Sequence, residues 1–154
     1  TSAILRLLIT QVAHRDLKPA NVLFDDAAGQ KAKLCDFGFA IVCADRGKCL
    51  TMCGTPCYMA PELTWNESAG YVGYPVDIWA FGCLLFEMMH GTVCFTANSI
   101  QALHQNIRAC KHSKIDPKLS AGARSLIKSL LTKSPKLRPT ALLTMNGHHA
   151  WLGC

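Results

Sequence analysis

The chain has 154 residues, of which half are hydrophobic and 17% are charged, and its formal net charge is +6. This length allows one domain with a substantial core, and the composition excludes a disordered protein. No uncharged apolar run reaches the roughly 18 residues that a membrane span needs, so an integral membrane protein is not predicted.

The first predicted element is a helix end at residues 2–11, "SAILRLLITQ", which implies that the chain is a fragment of a longer domain. The stretch "VAHRDLKPANVLF" at 12–24 follows it. Pro19 interrupts a continuous helix there, and it pushes the preceding Lys18 toward extended geometry. We therefore predict a shaped loop that presents polar groups, and such loops usually carry chemistry.

Two short strands are predicted next, at 21–24 ("NVLF") and 31–35 ("KAKLC"). The sequence "DDAAGQ" between them has the Asp and Gly of a hairpin turn. Residues 36–62 show no hydrophobic period and are predicted to be a long loop, which inside a compact domain is usually functional.

The rest of the chain is predicted to be helical. Residues 75–91 are apolar on nearly every side, so we expect a buried helix with Pro75 in its first turn and Gly91 at its C-cap. An amphipathic helix follows in "NSIQALHQNIRAC", and Ser120 is the predicted N-cap of another in "SAGARSLIKSLL". A last helix is predicted in 138–147, "RPTALLTMNG".

The distribution of charge and of cysteine residues limits the classes of partner, the cellular location and the metal sites that can be predicted. Nine of the 16 basic residues lie after residue 88, but they stand singly among apolar positions, which favours a solvated helical surface over nucleic-acid binding. Nine irregularly spaced cysteines predict reduced thiols and a cytoplasmic or nuclear protein. Cys49, Cys53 and Cys57 recur every four residues, but without a CxxC pair we predict no metal cluster. Cys35 is interpreted as a small strand residue, with a reactive thiol as the alternative.

Several polar residues are predicted to converge. The hairpin would bring Asp36 close to Asn21, and their oxygens are ligands suited to Mg²⁺ carrying a phosphate. Asp16 would then be left to orient a hydroxyl and accept its proton, while Lys18 neutralises charge on a phosphoryl group. Together these parts are what phosphoryl transfer requires of a protein. Taken singly, each has a plain alternative: a turn residue, a strand-end cap or a solvated charge.

Four motifs in this order carry a family resemblance: "HRD" at 14–16 with Asn21, "DFG" at 36–38, "APE" at 60–62 and "DIWAFG" at 77–82. With them the chain resembles the C-terminal lobe of a eukaryotic protein kinase. The fillings "DLKPAN" and "GTPCYMAPE" are similar to the serine/threonine-specific branch and lean toward the calmodulin-dependent-kinase-like group.

The resemblance implies a fold and a domain. The expected fold is mainly α: a helical bundle around the buried helix, with a small β-hairpin at the catalytic cleft. Residues 1–154 would be one kinase C-terminal lobe. A glycine-rich loop, a "VAIK"-type lysine and its glutamate partner do not occur, and Gln11 departs mildly from the usual glycine. Because those parts bind the ATP phosphates, we expect these 154 residues alone to have negligible activity.

The resemblance also implies roles, with ATP and Mg²⁺ as cofactors. The implied catalytic and nucleotide-binding residues are Asp16 as base, Lys18 at the γ-phosphate, Thr55 facing Asp16 at the acceptor site, Asn21 and Asp36 on magnesium, and Leu23 under the adenine. The implied regulatory pair is Thr51, as a phosphorylation site, and Arg15, as the partner of that phosphate. The implied structural residues are His14, Phe37, Asp77 as a hydrogen-bond acceptor for the catalytic-loop backbone, and the ion pair of Glu62 with Arg138.

The function that follows is a serine/threonine protein kinase that transfers the γ-phosphoryl group of ATP to protein hydroxyls. Its expected partners are protein substrates and an upstream activating kinase, without nucleic acid and without a membrane span. The alternative is a non-catalytic half-kinase that serves as a scaffold. Because every catalytic position of the matched motifs is filled, the enzyme is favoured.

Overall fold

The computed structural model describes residues 12–25, 31–43, 48–65 and 70–140. The predicted helix end at 2–11, with Gln11, lies outside these residues. Most of the predicted turn, 26–30, also lies outside, as does the predicted last helix from residue 141 onward.

The first part of the chain forms four short strands: β1 (Val12–Ala13), β2 (Val22–Phe24), β3 (Ala32–Leu34) and β4 (Ile41–Val42). Strands β2 and β3 pair antiparallel with Val22 opposite Leu34, which confirms the predicted hairpin. Strands β1 and β4 form a second antiparallel pair, with Ala13 opposite Ile41.

Three helices follow: α1 (Gly73–His90), α2 (Ile100–Arg108) and α3 (Ala121–Leu130). Gly91 ends α1 in the left-handed conformation with φ 69°, as a C-cap glycine does. The hydroxyls of Ser99 and Ser120 accept the backbone N–H of Ala102 and Ala123, so both serines cap their helices. The three predicted helices within 75–131 are thereby confirmed.

The core is built around α1, which is apolar on most sides. Trp79 of α1 stacks on Phe95, with ring centroids 5.6 Å apart, and both side chains are fully buried. Helix α3 packs against α1 at Gly82, where an added Cβ would lie 2.8 Å from the Cβ of Leu130. Glycine there allows the close approach of the two helices. No helix in the described part of the chain is long and apolar enough to cross a bilayer.

The expected fold class is wrong. We expected a mainly α kinase C-terminal lobe with a single hairpin, but the described residues hold two separate two-stranded sheets before the first helix, and the fold is a small mixed α/β one. The unpredicted sheet joins β1 to β4, which lies in the segment predicted to be a loop without period. A two-residue strand has no hydrophobic period of its own, and its partner lies far along the sequence, so no local pattern reveals it.

Candidate active site

Asp16 is the centre of a compact group of polar side chains. Its Oδ1 accepts both the backbone N–H of Thr55 at 2.9 Å and the Thr55 hydroxyl at 2.8 Å. Its Oδ2 pairs with Lys18 Nζ at 2.7 Å, and the same ammonium donates to Thr55 Oγ1 at 3.0 Å. The structure therefore brings together the three side chains that the sequence resemblance implied to be catalytic.

Asn21 joins this group through its amide nitrogen, which donates to the Asp16 carbonyl oxygen at 2.9 Å. A carbonyl oxygen can only accept, so the amide nitrogen faces Asp16 and the amide oxygen faces away from it. Pro19 starts the 3-10 turn Pro19–Asn21, and this turn places Asn21 directly before β2.

The carboxylate of Asp16 is held in its charged form. Burial disfavours the charge, but hydrogen bonds from Lys18 and Thr55 outweigh burial and lower the pKa of Asp16 below its ordinary value. Asp16 is thus an ionised acceptor near neutral pH, as a group that orients a hydroxyl must be.

Asp77 positions the backbone on which Asp16 stands. Its two carboxylate oxygens accept the N–H groups of His14 at 2.7 Å and of Arg15 at 2.8 Å. Burial raises the pKa of Asp77 to about 6, although both backbone hydrogen bonds lower it. Arg15 has a positive φ of 68°, an uncommon conformation for a residue with a side chain. The buried carboxylate of α1 therefore holds a tight turn in place, as the resemblance implied.

Asp36 follows β3 and directly succeeds Cys35, the residue that pairs with Asn21. The N–H of Cys35 donates to the Asn21 carbonyl at 3.0 Å, so the hairpin closes as predicted and brings the two chain positions together. The carboxylate of Asp36 is exposed, and its backbone has a φ of 60°. One carboxylate and one amide oxygen beside an exposed surface are a donor set that fits Mg²⁺. These are the residues that would hold a metal–nucleotide complex, whose metal would neutralise phosphate charge.

Three further predicted residues lie around this edge. The buried His14 ring contacts the Cys35 carbonyl through Nε2 at 3.0 Å, and it packs against Phe37 with centroids 4.9 Å apart. Phe37 and Leu23 stay 48% and 53% exposed. Leu23 therefore presents an apolar side chain at the surface, where the resemblance placed the adenine.

Arg15 and Thr51, the implied regulatory pair, lie close together. The guanidinium reaches the backbone carbonyl of Thr51 at 3.4 Å and the hydroxyl of Tyr71 at 3.0 Å, while its Nε donates to the Phe39 carbonyl at 2.6 Å. The Thr51 residue is exposed. The guanidinium of Arg15 thus lies next to the backbone of Thr51.

Glu62 and Arg138 form the predicted ion pair. Two guanidinium nitrogens meet the two carboxylate oxygens at 2.6 and 2.7 Å, a bidentate arrangement. The guanidinium also donates to the carbonyls of Pro75 and Thr132, at 2.7 and 2.8 Å. The buried guanidinium of Arg138 thereby joins the segment around Glu62 to the start of α1 and to the residues that follow α3.

Sequence reasoning missed three features of this region. Tyr71 contacts Arg15; Tyr58 donates to Glu87; and Gly54 approaches the backbone of the catalytic loop. Only Gly54 had a signal, because a glycine directly before the predicted Thr55 is a candidate for close backbone approach.

Among the described residues, no three His, Cys, Asp or Glu side chains are grouped to hold a metal ion.

Gly54→Ala is expected to lower the free energy of unfolding by displacing the backbone next to Thr55. Gly54 has a φ of 105°, and an added Cβ would lie 2.6 Å from the carbonyl oxygen of Arg15, a backbone atom that cannot rotate away. The segment carrying Thr55 must then shift, at a cost of about 1–3 kcal/mol. Urea unfolding of the variant measures this, with Gly91→Ala as control, since that glycine is also left-handed at φ 69° but meets no atom within 4 Å. Equal losses in both variants would show that the Arg15 contact adds nothing.

The amino-acid sequence of the chain matches a known protein family. The protein kinase domain family matches residues 2–152. The match begins at residue 2 and includes the early strands. The prediction that the chain is only a C-terminal lobe is therefore wrong, as is the mainly α fold class.

Curated relatives agree with the match. The chain is 40% identical over 142 residues to the SNF-related serine/threonine-protein kinase of Rattus norvegicus, covering 92% of this chain and 18% of the relative. It is 38% identical over 141 residues to sperm motility kinase 2B of Mus musculus, with 92% and 28% covered. It is 37% identical over 145 residues to maternal embryonic leucine zipper kinase of Xenopus laevis, with 91% and 21% covered. The chain thus spans less than a third of each of these relatives, and it belongs to the protein kinase domain family.

Proposed function

We propose that the protein containing this chain is a serine/threonine kinase that transfers the γ-phosphoryl group of ATP to Ser or Thr hydroxyls of protein substrates. The observation that carries the proposal is the ionised Asp16, held by Lys18 and by both donors of Thr55. A substrate hydroxyl replacing the Thr55 hydroxyl at Oδ1 would be oriented and could give up its proton there.

The neighbouring side chains supply the remaining parts. Lys18 carries a positive charge within 2.7 Å of Asp16, where it would neutralise charge on the phosphoryl group during transfer. Asn21 and Asp36 would hold magnesium, which supplies charge neutralisation of the nucleotide phosphates when bound. The exposed Leu23 would contact the adenine.

Regulation belongs to the same proposal. Thr51 is exposed and its backbone lies beside Arg15, which supports phosphorylation at Thr51 by an upstream kinase with Arg15 as the phosphate's partner. The cytoplasmic or nuclear location stays a prediction.

The test is phosphotransfer by the full-length protein from labelled ATP to peptide libraries with Ser, Thr or Tyr as acceptor. We expect labelling of Ser and Thr peptides that requires Mg²⁺. Asp36→Ala should abolish it, since a magnesium ligand is lost. Asp25→Ala is the matched control, because Asp25 forms an exposed ion pair with Lys33 within the described residues. Binding of a protein partner without any phosphotransfer would contradict the enzyme and favour the scaffold.

A further inference from the structure

The hydroxyl of Tyr71 lies between Arg15 and the backbone of Thr51. Tyr71 Oη accepts a hydrogen bond from Arg15 Nη1 at 3.0 Å and donates one to the Thr51 carbonyl at 2.8 Å. Tyr71 is 7% exposed, and both contacts of its hydroxyl are partly buried. This hydroxyl thus links the catalytic-loop arginine to the segment that carries Thr51 and Thr55.

Tyr71 also holds that segment through its backbone. Its N–H and carbonyl pair with the carbonyl and N–H of Cys49 at 3.0 and 2.7 Å, an isolated antiparallel bridge. Its hydroxyl lies 3.9 Å from the Cys53 sulfur. Tyr71 therefore touches residues 49, 51 and 53, every second position of the segment.

The segment 49–55 ends at the active site. Gly54 packs on the carbonyl of Arg15, and Thr55 binds the carboxylate of Asp16 through two hydrogen bonds. Only three residues separate Thr51 from Thr55. A displacement of the backbone at Thr51 would therefore reach Thr55, the partner of Asp16, over a short length of chain.

Arg15 keeps its charge unneutralised in this arrangement. Its partners are the Phe39 and Thr51 carbonyls and the Tyr71 hydroxyl, all neutral groups, and in the described ranges it makes no ion pair. A phosphate on Thr51 would be a stronger, bidentate partner for the same guanidinium. Tyr71 and such a phosphate are therefore alternative means of holding the segment against Arg15.

We propose that Tyr71 is a positioning residue whose hydroxyl takes the place of a Thr51 phosphate as partner of Arg15 and so holds Thr55 on Asp16 in the unphosphorylated protein. This inference rests on the proposed kinase function. It assigns basal activity to the unphosphorylated protein, with Thr51 phosphorylation as a second support for the same segment.

The test compares Tyr71→Phe with wild type in two states of the full-length protein: dephosphorylated, and with phosphothreonine encoded at position 51, both verified by mass spectrometry. Loss of one partly buried hydrogen-bond partner predicts a fall in kcat of about tenfold in the dephosphorylated state. With phosphothreonine present, kcat should return to within about twofold of wild type. Tyr74→Phe is the matched control and should change neither state, since the Tyr74 side chain is 45% exposed.

Phosphate rescue separates positioning from general structural damage. A loss of kcat that persists in the phosphorylated variant would overturn the proposal, because a merely structural tyrosine is not replaced by phosphate on another residue. Full activity of dephosphorylated Tyr71→Phe would overturn it as well.

Hydrogen exchange of the amides of residues 49–55 decides the matter independently of catalysis. We expect faster exchange in dephosphorylated Tyr71→Phe and recovery when phosphothreonine is present. If wild type shows no phosphotransfer in either state, the proposed function fails. The exchange pattern then still supports the role of Tyr71 when it recovers with phosphate, and overturns that role when exchange is unchanged by the substitution.

Discussion

Asp16→Asn in the full-length protein is expected to lower kcat by about 10²- to 10⁴-fold while nucleotide affinity stays within about threefold of wild type. An amide cannot take the proton of a substrate hydroxyl. It also replaces one acceptor oxygen by an NH₂ group, which would face either the Lys18 ammonium or the Thr55 donors. The proposed magnesium ligands, Asn21 and Asp36, remain in place, so nucleotide binding should persist.

The measurements for Asp16→Asn are steady-state phosphotransfer to a Ser or Thr peptide and calorimetric titration with the magnesium complex of a non-hydrolysable ATP analogue. Asp25→Asn is the matched control, since it makes the same chemical change in an exposed ion pair 2.7 Å long. An Asp16→Asn variant that retains a tenth or more of wild-type kcat would exclude Asp16 as the base. Loss of nucleotide binding would instead indicate that the group around Asp16 had collapsed.

Arg138→Met should lower the free energy of unfolding by about 3–5 kcal/mol. Methionine retains much of the side-chain volume but leaves the Glu62 carboxylate without its cation, and it leaves the carbonyls of Pro75 and Thr132 without their donor. The guanidinium also lies 5.1 Å from the centroid of the Trp79 ring, so a cation–π contact is lost at the core.

Urea unfolding followed by tryptophan fluorescence measures the loss in Arg138→Met. Lys33→Met is the control: it breaks the exposed pair with Asp25 and should cost about 1 kcal/mol or less. Adding Glu62→Met to Arg138→Met should give a loss smaller than the sum of the two single losses, because the second change removes the stranded carboxylate. Strict additivity would show that the two side chains do not stabilise the fold as a pair.

Much of the site could be predicted from the sequence because its parts lie on local features. Pro19 starts the turn that ends at Asn21, and the hairpin pairs positions eight to twelve residues apart. Ser99, Ser120 and Gly91 cap their helices through contacts within one turn of chain. Short-range hydrogen bonds and backbone preferences depend on neighbouring residues alone, so a single sequence contains them.

The chemical groups of the site and their order along the chain can be read from the amino-acid sequence alone. Which distant groups meet is visible only in the folded chain: β1 pairs with β4, Gly54 approaches the Arg15 carbonyl, and the Tyr71 hydroxyl contacts Arg15 and Thr51. The mainly α fold class failed for the same reason that Tyr71 was missed. Such contacts join residues tens of positions apart. Their free energy comes from burial and pairing in the folded chain, and no pattern among neighbouring residues indicates it.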